Sequence, residues 1–546
     1  MTDPLSRFYK WEKETPAHLL FHQPFPGEIR QWTYAQAGQE MRKVATALLS
    51  LNLPARSRVA ILSKNCAHWM MADFAIWMAG HISVPIYPTL SAPAIRQILE
   101  HSESTVIFVG KLDDYTVQQG GIPSAIQKIS FDDYGIKDGW LWSELISKHQ
   151  PLETNTMFDR YEMATIKYTS GTTGIPKGVM ISMHAIDHAL SHAFPIMKTG
   201  ENDRFFSYLP LSHIAERMLV EIGGIYNGAS IYFSESLDKF AANLAHAQPT
   251  VFLAVPRIWA RFKEKILEKI PQRRLDILLS IPLVNSFLKR TIIKNLGLSK
   301  CNWAITGASP ISVELLEWYQ KLGVTIREVY GMTENLAWAT SNVEAVKFGT
   351  IGRPWTNVQV RLTSEGEIQT KGDATMIGYY KSSELTKEVF TADGFLKSGD
   401  LGQADSEGFI TITGRIKDLF KTDKGKYIAP LPIELKLSSN TDIEQVCVVG
   451  MGVPQPMALV VLSAAGKSKS KEEITSSLSK TLDAVNKEIE SYERLQAAVV
   501  MNTDWTIENG LITPSLKVKR NEVEKIHLPK YPRWYAVGRE VVWENE

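Results

Sequence analysis

The sequence predicts an α/β fold, with a large multi-subdomain N-terminal domain of mostly parallel sheets and a smaller, mobile α+β C-terminal domain. Short β-branched runs separated by helix-length segments predict the parallel sheets, because parallel strands need crossover connections that are usually helical. After about residue 350 the strands become shorter and turns more frequent, and a second α/β stretch begins near residue 415. The clearest runs are RVAIL (58–62), TVIFV (105–109), ASIYF (229–233), TVFLAV (250–255) and NWAIT (302–306).

The length of 546 residues leaves room for roughly three to four domain-sized units of about 150 residues. We place the large domain at 1–415 and the small domain at 416–546. Within the small domain, the Lys- and Ser-rich segment AAGKSKSKEE (464–473) is predicted to be a solvated loop.

The composition excludes several classes of protein. The 60 Lys and Arg residues are balanced by 59 Asp and Glu, so the net charge of +1 gives no reason to expect a nucleic-acid partner. A hydrophobic fraction of 44% and a mean hydropathy of -0.12 indicate a compact soluble protein. The three cysteines are too far apart for a zinc ribbon or a redox pair, and the N-terminus lacks the pattern of a secretory signal. We therefore expect a cytoplasmic protein, with peripheral contact to a membrane left open.

The strongest local motif is YTSGTTGIPKGV (168–179), which follows the apolar run MATIKY. Glycines allow successive N–H groups to form an anion-binding concavity, and the hydroxyls and Lys177 add donors and positive charge. The motif lacks the Gly-Lys-Ser/Thr ending of a P-loop NTPase. A generic surface turn is the alternative, and the hydroxyl cluster and the lysine favour phosphate binding instead.

Three further motifs carry groups suited to a nucleotide. YGMTE (330–334), preceded by TGASP (306–310), offers an aromatic face for adenine, a hydroxyl for phosphate and a carboxylate for hydrated magnesium. In DGFLKSGDLG (393–402), Asp400 has two oxygens that suit paired ribose hydroxyls. It is followed by ITGRIKDLFKTDKGKYIAP (412–430), and GLITPSLKVKR (510–520) adds a basic segment near the end.

Together these motifs resemble the adenylate-forming superfamily of acyl-CoA synthetases, luciferases and peptide-synthetase adenylation domains, over nearly the whole chain. LPLSHIAER, AVPRIWARF, GASPIS and the SGDLG and GRIKDLFKT segments most resemble long-chain fatty acyl-CoA synthetases. The resemblance implies ATP-dependent activation of a long-chain fatty acid to acyl-AMP and transfer to CoA, giving acyl-CoA, AMP and pyrophosphate. It also implies Mg2+ as cofactor.

The resemblance also implies roles for individual residues. Lys517, rather than Lys519, matches the adenylation lysine, although TPSLK lacks the glycine that many relatives have before it. The resemblance implies that Thr333 and Glu334 are catalytic residues together with Lys517, and that Glu334 is the magnesium ligand. The residues implied to bind ATP or AMP are Thr169, Ser170, Gly171, Thr172, Thr173, Gly174, Lys177, Gly307, Ala308, Tyr330, Gly331, Thr333, Asp400 and Arg415.

The remaining implied roles concern the acyl group and the domain motion. His213 in LPLSHIAER matches a residue near the substrate carboxylate, with packing or loop capping as its alternative. Lys417 and Asp418 match the interdomain hinge, and Gly425 matches the loop on the CoA side.

Several alternatives stay open. The acyl group could pass to a carrier-protein thiol or remain as an adenylate, and a non-catalytic nucleotide-binding regulator is a third class. The segment 255–274 carries basic residues that suit lipid head groups or CoA phosphates, but a solvated helix face explains them equally well. His184, His188 and His192 share one helical stripe, yet no acidic or cysteine ligand lies at a diagnostic spacing, so we do not assign a metal to them.

Overall fold

The computed structural model describes residues 3–169, 176–513 and 517–546. The five β-branched runs all form strands. The strands are β1 Leu19–Phe25, β2 Glu28–Thr33, β3 Arg58–Leu62, β4 Ile82–Ile86, β5 Ser104–Val109, β6 Gln127–Ser130, β7 Trp140–Leu141, β8 Met163–Thr169, β9 Lys177–Ser182, β10 Arg204–Ser207, β11 Ser230–Phe233, β12 Val251–Leu253, β13 Trp303–Thr306, β14 Ile326–Tyr330, β15 Thr340–Ser341, β16 Arg353–Pro354, β17 Gln359–Leu362, β18 Glu367–Lys371, β19 Gly378–Tyr379, β20 Leu396–Ala404, β21 Ile410–Arg415, β22 Phe420–Lys421, β23 Tyr427–Ile428, β24 Ile443–Val449, β25 Met457–Leu462, β26 Ala498–Val500 and β27 Val541–Trp543.

Helices fill the connections between these strands. They are α1 Pro4–Glu14, α2 Tyr34–Ser50, α3 Ala67–Met78, α4 Ala92–Ser102, α5 Tyr115–Gln118, α6 Trp142–Lys148, α7 Met183–Met197, α8 Ile214–Glu216, α9 Gly223–Tyr226, α10 Phe240–Ala247, α11 Pro256–Lys269, α12 Gln272–Ser280, α13 Val284–Asn295, α14 Val313–Leu322, α15 Ser383–Val389, α16 Pro430–Leu437, α17 Ala464–Lys467, α18 Lys471–Glu488, α19 Arg520–His527 and α20 Tyr531–Ala536. A π-helical segment, Arg217–Ile222, joins α8 to α9.

Two large sheets organise the first part of the chain. Sheet I has the order β16-β15-β14-β13-β12-β10-β11-β1-β2, and sheet II has the order β19-β9-β8-β4-β3-β5-β6-β7. The inner pairs are parallel, and antiparallel pairs stand towards the edges, for example β1 with β2 and β8 with β9. The predicted α/β class with mostly parallel sheets is confirmed.

One hydrophobic core unites the two sheets. It contains Phe21 and Ile231 of sheet I, Val59 and Val106 of sheet II, and residues of α2, α3 and α7. Helix α3 is buried along its whole length, which explains why the apolar stretch around it contains no solvent-facing stripe. This stretch is core, and none of the helices in the described ranges is long and apolar enough to cross a membrane.

A buried ion pair crosses this core. Arg217 of the π-helical segment donates to Asp73 of α3, with N–O distances of 2.6 to 3.1 Å, and to the Thr165 hydroxyl of β8 at 2.7 Å. The side chains of Asp73 and Arg217 are 0% and 1% exposed. A buried pair of this kind is retained only when its polar atoms are well satisfied, so its geometry fixes how α3 meets the helix of residues 214–226.

The C-terminal part contains smaller sheets. Strands β17-β18-β20-β21 form an antiparallel sheet, β22 and β23 form a hairpin, and β24-β25-β26-β27 form a mixed sheet covered by helices α16 and α18. The predicted loop at 464–473 is wrong: α17 and the first turn of α18 occupy it. Ser470 caps α18 through a reciprocal capping box with Glu473, and this local signal outweighs the Lys- and Ser-rich composition.

Candidate active site

The two ends of the predicted phosphate loop are held together by sheet II. Strands β8 and β9 pair antiparallel, with Thr169 opposite Lys177. The ammonium of Lys177 lies 5.3 Å from the centroid of the Tyr379 ring, on the neighbouring strand β19. The predicted residues in the middle of this loop lie outside the described ranges; they are Ser170, Gly171, Thr172, Thr173 and Gly174.

The second motif lies at the carboxyl ends of two adjacent parallel strands. Gly307 and Ala308 follow β13, and Gly331 follows β14, so these residues share one edge of sheet I. A Cβ atom on Gly331 would lie 2.4 Å from the carbonyl carbon of Ala337, and one on Gly307 would lie 2.9 Å from the carbonyl oxygen of Val329. Close backbone packing therefore requires glycine at both positions.

Glu334 presents a buried carboxylate just beyond this edge. It lies in the 3-10 turn Thr333–Asn335, and one of its oxygens accepts a hydrogen bond of 2.7 Å from the Tyr379 hydroxyl. Its other oxygen accepts no hydrogen bond from the parts of the chain that the structure describes. Carboxylate oxygens are what Mg2+ prefers, and this ion commonly uses one or two carboxylates plus water and substrate phosphates. The donor set at Glu334 fits a magnesium ion bound in that way.

Asp400 is the centre of a second polar group. The pairing of β20 with β21 places Asp400 directly opposite Arg415. One carboxylate oxygen accepts from Arg415 Nε at 2.7 Å, and the other accepts from the Tyr330 hydroxyl at 2.7 Å. Burial and the nearby Asp400 carboxylate raise the pKa of Tyr330, so this hydroxyl stays protonated and donates. The structure thus brings together three predicted nucleotide-binding residues from two different sheets.

Lys517 joins this group from the small C-terminal part. The ends of its loop are pinned by a β-bridge between Ile512 and Val518 and by a hydrogen bond of 2.8 Å from the Thr513 amide to the Lys517 carbonyl. Burial within the cleft, and then repulsion by Arg415, lower the pKa of Lys517 to about 8, while Asp400 acts in the opposite sense. Its side chain is nevertheless exposed to the solvent in the cleft. The ammonium therefore faces a space lined by both parts of the chain.

The turn of Gly425 is placed differently. It connects β22 to β23, its residues 423–427 are exposed, and Gly425 has φ +77°. The structure therefore captures an arrangement with Lys517 at the cleft and the Gly425 turn in solvent. Lys417 and Asp418 lie in the 3-10 turn Ile416–Asp418, between β21 and β22. The division of the chain at 415/416 and the hinge role of these two residues stay predictions.

His213 lies at the start of the helix of residues 214–226. Its Nδ1 accepts from the Ala215 amide at 3.3 Å, as the capping alternative anticipated. Burial, and then repulsion by Lys167 and Lys517, lower the pKa of His213 to about 3, so the imidazole is neutral near pH 7. Its position near both ammonium groups is compatible with a second role beside a substrate carboxylate.

Two residues of this region were missed by the sequence analysis. Lys167 of β8 is buried, and its ammonium has no hydrogen-bond partner in the described structure. Burial, and then Arg217, lower its pKa well below the usual value. A lysine inside an apolar run, as in MATIKY, was the sequence signal that could have identified Lys167. Nothing in the sequence marked Tyr379, whose hydroxyl orients Glu334 only through the tertiary fold.

The histidine stripe has an acidic neighbour that sequence spacing did not reveal. Asp373 lies 3.2 Å from His184 Nε2 and 3.8 Å from His188 Nδ1. The three residues are close enough to share a cation. However, Arg160 Nε donates to His184 Nδ1 at 2.7 Å. The Nη2 atom of the same guanidinium lies 3.2 Å from His184 Nε2, so a positive charge already stands beside this histidine.

Comparison with known proteins identifies the relatives of this chain. A family described as AMP-binding enzyme matches residues 8–380, and the AMP-binding enzyme C-terminal domain matches residues 417–530. The chain is 27% identical to long-chain-fatty-acid–CoA ligase FadD15 of Mycobacterium bovis, over 94% of each protein. It is 28% identical to long-chain-fatty-acid–CoA ligase 5 of Rattus norvegicus, over 92% of this chain and 84% of that protein. The anthranilate CoA ligase AuaEII, solved with anthranoyl-AMP, shares the fold with a TM-score of 0.79 at 19% identity, over 96% of this chain and 97% of the other.

Proposed function

Because this chain belongs to the AMP-binding enzyme family, we propose that it activates a long-chain fatty acid with ATP and transfers the acyl group to CoA. The products are acyl-CoA, AMP and pyrophosphate. The observation that carries the proposal is the meeting of Lys517 with Asp400, Arg415 and His213 around one cleft. The names of the relatives support the long-chain acyl group and the CoA acceptor.

In the first half-reaction, a fatty-acid carboxylate attacks the α-phosphate of ATP and pyrophosphate leaves. Two anions must approach each other, so positive groups that face the developing charge lower the barrier. Lys517 supplies such a charge at the cleft, and Lys177 supplies another at the end of the phosphate loop. A magnesium ion at Glu334 would neutralise phosphate charge when bound.

The nucleotide is oriented by the group around Asp400. Arg415 and Tyr330 fix both carboxylate oxygens, so the carboxylate does not rotate and remains presented to paired ribose hydroxyls. The Tyr330 ring is then in place to pack against adenine. Gly307 and Gly331 permit the close backbone packing that shapes this edge of sheet I.

His213 is proposed to receive the carboxylate of the fatty acid. A neutral imidazole can hydrogen-bond the carboxylate without holding it as an ion pair, so it orients the nucleophile while leaving it reactive. We expect His213→Ala to raise the KM for fatty acids more than the KM for ATP. Equal losses for every substrate, together with a lower thermal midpoint, would instead assign His213 to helix capping.

In the second half-reaction, the thiol of CoA attacks the acyl-adenylate and AMP leaves. We propose that the small C-terminal domain rotates about Lys417 and Asp418, which withdraws Lys517 and brings the Gly425 turn to the pantetheine arm. The exposure of that turn supports this, because residues 423–427 are accessible to a second substrate.

The test is ATP–pyrophosphate exchange with a panel of carboxylates of different chain lengths. Exchange that depends on a long-chain fatty acid supports adenylation, and none with any carboxylate would favour a nucleotide-binding regulator. Adding CoA or a holo carrier protein then separates the acceptors. Thioester formation only on the carrier protein, or none on either, would replace CoA transfer by carrier loading or by an acyl-AMP ligase activity.

A further inference from the structure

The helical hairpin of α12 and α13 carries an unusual cluster of exposed apolar side chains. Ile277, Ile281, Leu283 and Phe287 are 62%, 44%, 90% and 75% exposed, and Val284 adds 37%. All five lie at or near the turn between the two helices. Scattered exposed apolar residues are ordinary in soluble proteins, but a contiguous set marks an interaction site. We name residues 277–287 the apolar tip.

The backbone of the apolar tip is also unusual. Leu283 has φ +55° and ψ -53°, outside the conformations that bulky side chains normally adopt. A short loop that turns the chain while directing a leucine into solvent has no evident benefit to the core, since Leu283 is almost fully exposed. Such strain is retained where the surrounding structure or a function requires it.

Basic residues surround the apolar tip. The hairpin itself, residues 272–295, contains five Lys and Arg against one Asp, a net charge of +4, whereas the rest of the chain has a net charge of -3. None of the five basic residues of the hairpin forms an ion pair with a described residue; they are Arg273, Arg274, Lys289, Arg290 and Lys294. The balanced overall charge therefore conceals one strongly positive hairpin.

The apolar and basic groups are ordered along the hairpin. On α13, Phe287, Arg290 and Lys294 follow one another at intervals of three and four, so they share one face, and Leu283 directly precedes the helix. The apolar members stand at the turn and the basic members stand towards the base. Seven residues of helix separate Phe287 from Lys294, about 10 Å at 1.5 Å per residue. This is close to the depth of about 5–10 Å at which interfacial segments bury their apolar side.

The preceding helix α11 does not offer such a surface. Its apolar side packs inward, with Trp259 and Ile266 in the hydrophobic core, and Arg257 and Arg261 pair with Glu444. The segment 255–274, for which lipid contact stood open in the sequence analysis, is thus mostly committed to the fold. The exposed apolar groups lie one hairpin further along the chain.

We propose that the apolar tip inserts into the surface of a bilayer containing anionic lipids, with the five unpaired basic residues at the phosphate level. The tip is a convex turn with leucine and phenylalanine at its end, which suits the boundary between head groups and acyl chains. The charge of the hairpin complements an anionic surface, and juxtamembrane basic clusters bind such surfaces through this attraction. This inference does not depend on the proposed activity, because binding is measured without substrate.

The experiment is flotation of the full-length protein with vesicles of phosphatidylcholine alone and with phosphatidylcholine mixed with phosphatidylglycerol. We expect binding to the anionic vesicles that falls as salt increases, because exposed charges are screened. Leu283→Glu and Phe287→Glu should each weaken it by roughly tenfold or more, since a carboxylate at the tip opposes both insertion and the anionic surface. Leu237→Glu is the matched control, because Leu237 is also 90% exposed but lies elsewhere, between β11 and α10.

A second variant separates the two contributions. Replacing Arg290 and Lys294 by serine leaves the apolar tip intact, and binding should become weaker and less dependent on salt. The proposal would be overturned if all variants bound the vesicles equally well, or if the protein bound neutral and anionic vesicles equally well. So would concentration-dependent dimers, formed without vesicles and abolished by Phe287→Glu, because the tip would then be an interface between copies of this chain. Thermal midpoints of the variants should match the unmodified protein, since none of these side chains is buried.

Discussion

Lys517 provides the sharpest test of the proposed chemistry, because its charge titrates in an accessible range. A lysine with a pKa of about 8 is about nine-tenths protonated at pH 7 and about one-tenth protonated at pH 9. If the ammonium stabilises charge in the first half-reaction, adenylation should fall as pH rises through 8. The expected loss is roughly ninefold between pH 7 and pH 9, when the free enzyme limits the rate.

The assay is release of pyrophosphate with a fatty acid at low substrate concentration and without CoA, so that ionisation of the thiol does not contribute. Lys517→Ala should strongly reduce this rate at every pH and remove the alkaline decline. Lys517→Arg keeps a positive charge, because the guanidinium stays protonated up to about pH 12. The adenylation rate of this variant should therefore change little between pH 7 and pH 9, whatever its absolute value. Supplied acyl-adenylate should still react with CoA in the alanine variant.

Lys519→Ala is the matched control, since Lys519 is a lysine only two residues away to which no role in adenylation is assigned. A decline near pH 8 that persists in Lys517→Arg would refute the assignment. So would an equal loss of adenylation in Lys519→Ala and Lys517→Ala, or an equal loss of both half-reactions when Lys517 is removed.

Three further predictions use other parts of the structure. Gly425→Leu should spare adenylation but impair thioester formation. Gly538→Leu is the matched control, because Gly538 lies in open space and its φ of +70° strains a leucine as much as the φ of +77° at Gly425 does. This control should leave both half-reactions intact. Asp400→Ala should weaken ATP binding by about 1.5–3 kcal/mol through loss of charge-assisted hydrogen bonds, as calorimetry can measure, and unchanged affinity would exclude Asp400 as the ribose acceptor. Asp73→Ala should lower the free energy of unfolding by about 3–5 kcal/mol in urea, because it removes the hydrogen-bonded partner of the buried Arg217 and leaves Glu221, at 3.7 Å, as its acidic neighbour. Asp113→Ala, which removes an exposed pair with Lys64, should cost less than about 1 kcal/mol, and similar losses for both would contradict this reading.

The sequence by itself determined the elements that local patterns control. The β-branched runs became strands because strand formation depends on side chains that fit a pleated, half-buried surface. The apolar run before the phosphate motif, which forms β8, and the importance of Tyr330, Asp400 and Arg415 could also be recognised from the motifs, whereas strand β9 after the motif was not foreseen. Composition was a poorer guide in the segment 464–473, where a capping box at Ser470 starts a helix.

Only the tertiary structure decided which groups meet. The register of β20 and β21 sets Arg415 against Asp400. Tertiary packing adds the Tyr330 hydroxyl, from 70 residues earlier than Asp400, and the Lys517 ammonium, from more than 100 residues later. Contacts between distant segments depend on how whole helices and sheets pack against each other, and the spacing of residues in the sequence does not determine that packing. The same reason explains why Asp373 beside His184 was not foreseen, and why a chain of net charge +1 contains a hairpin of +4 whose apolar turn remains uncovered.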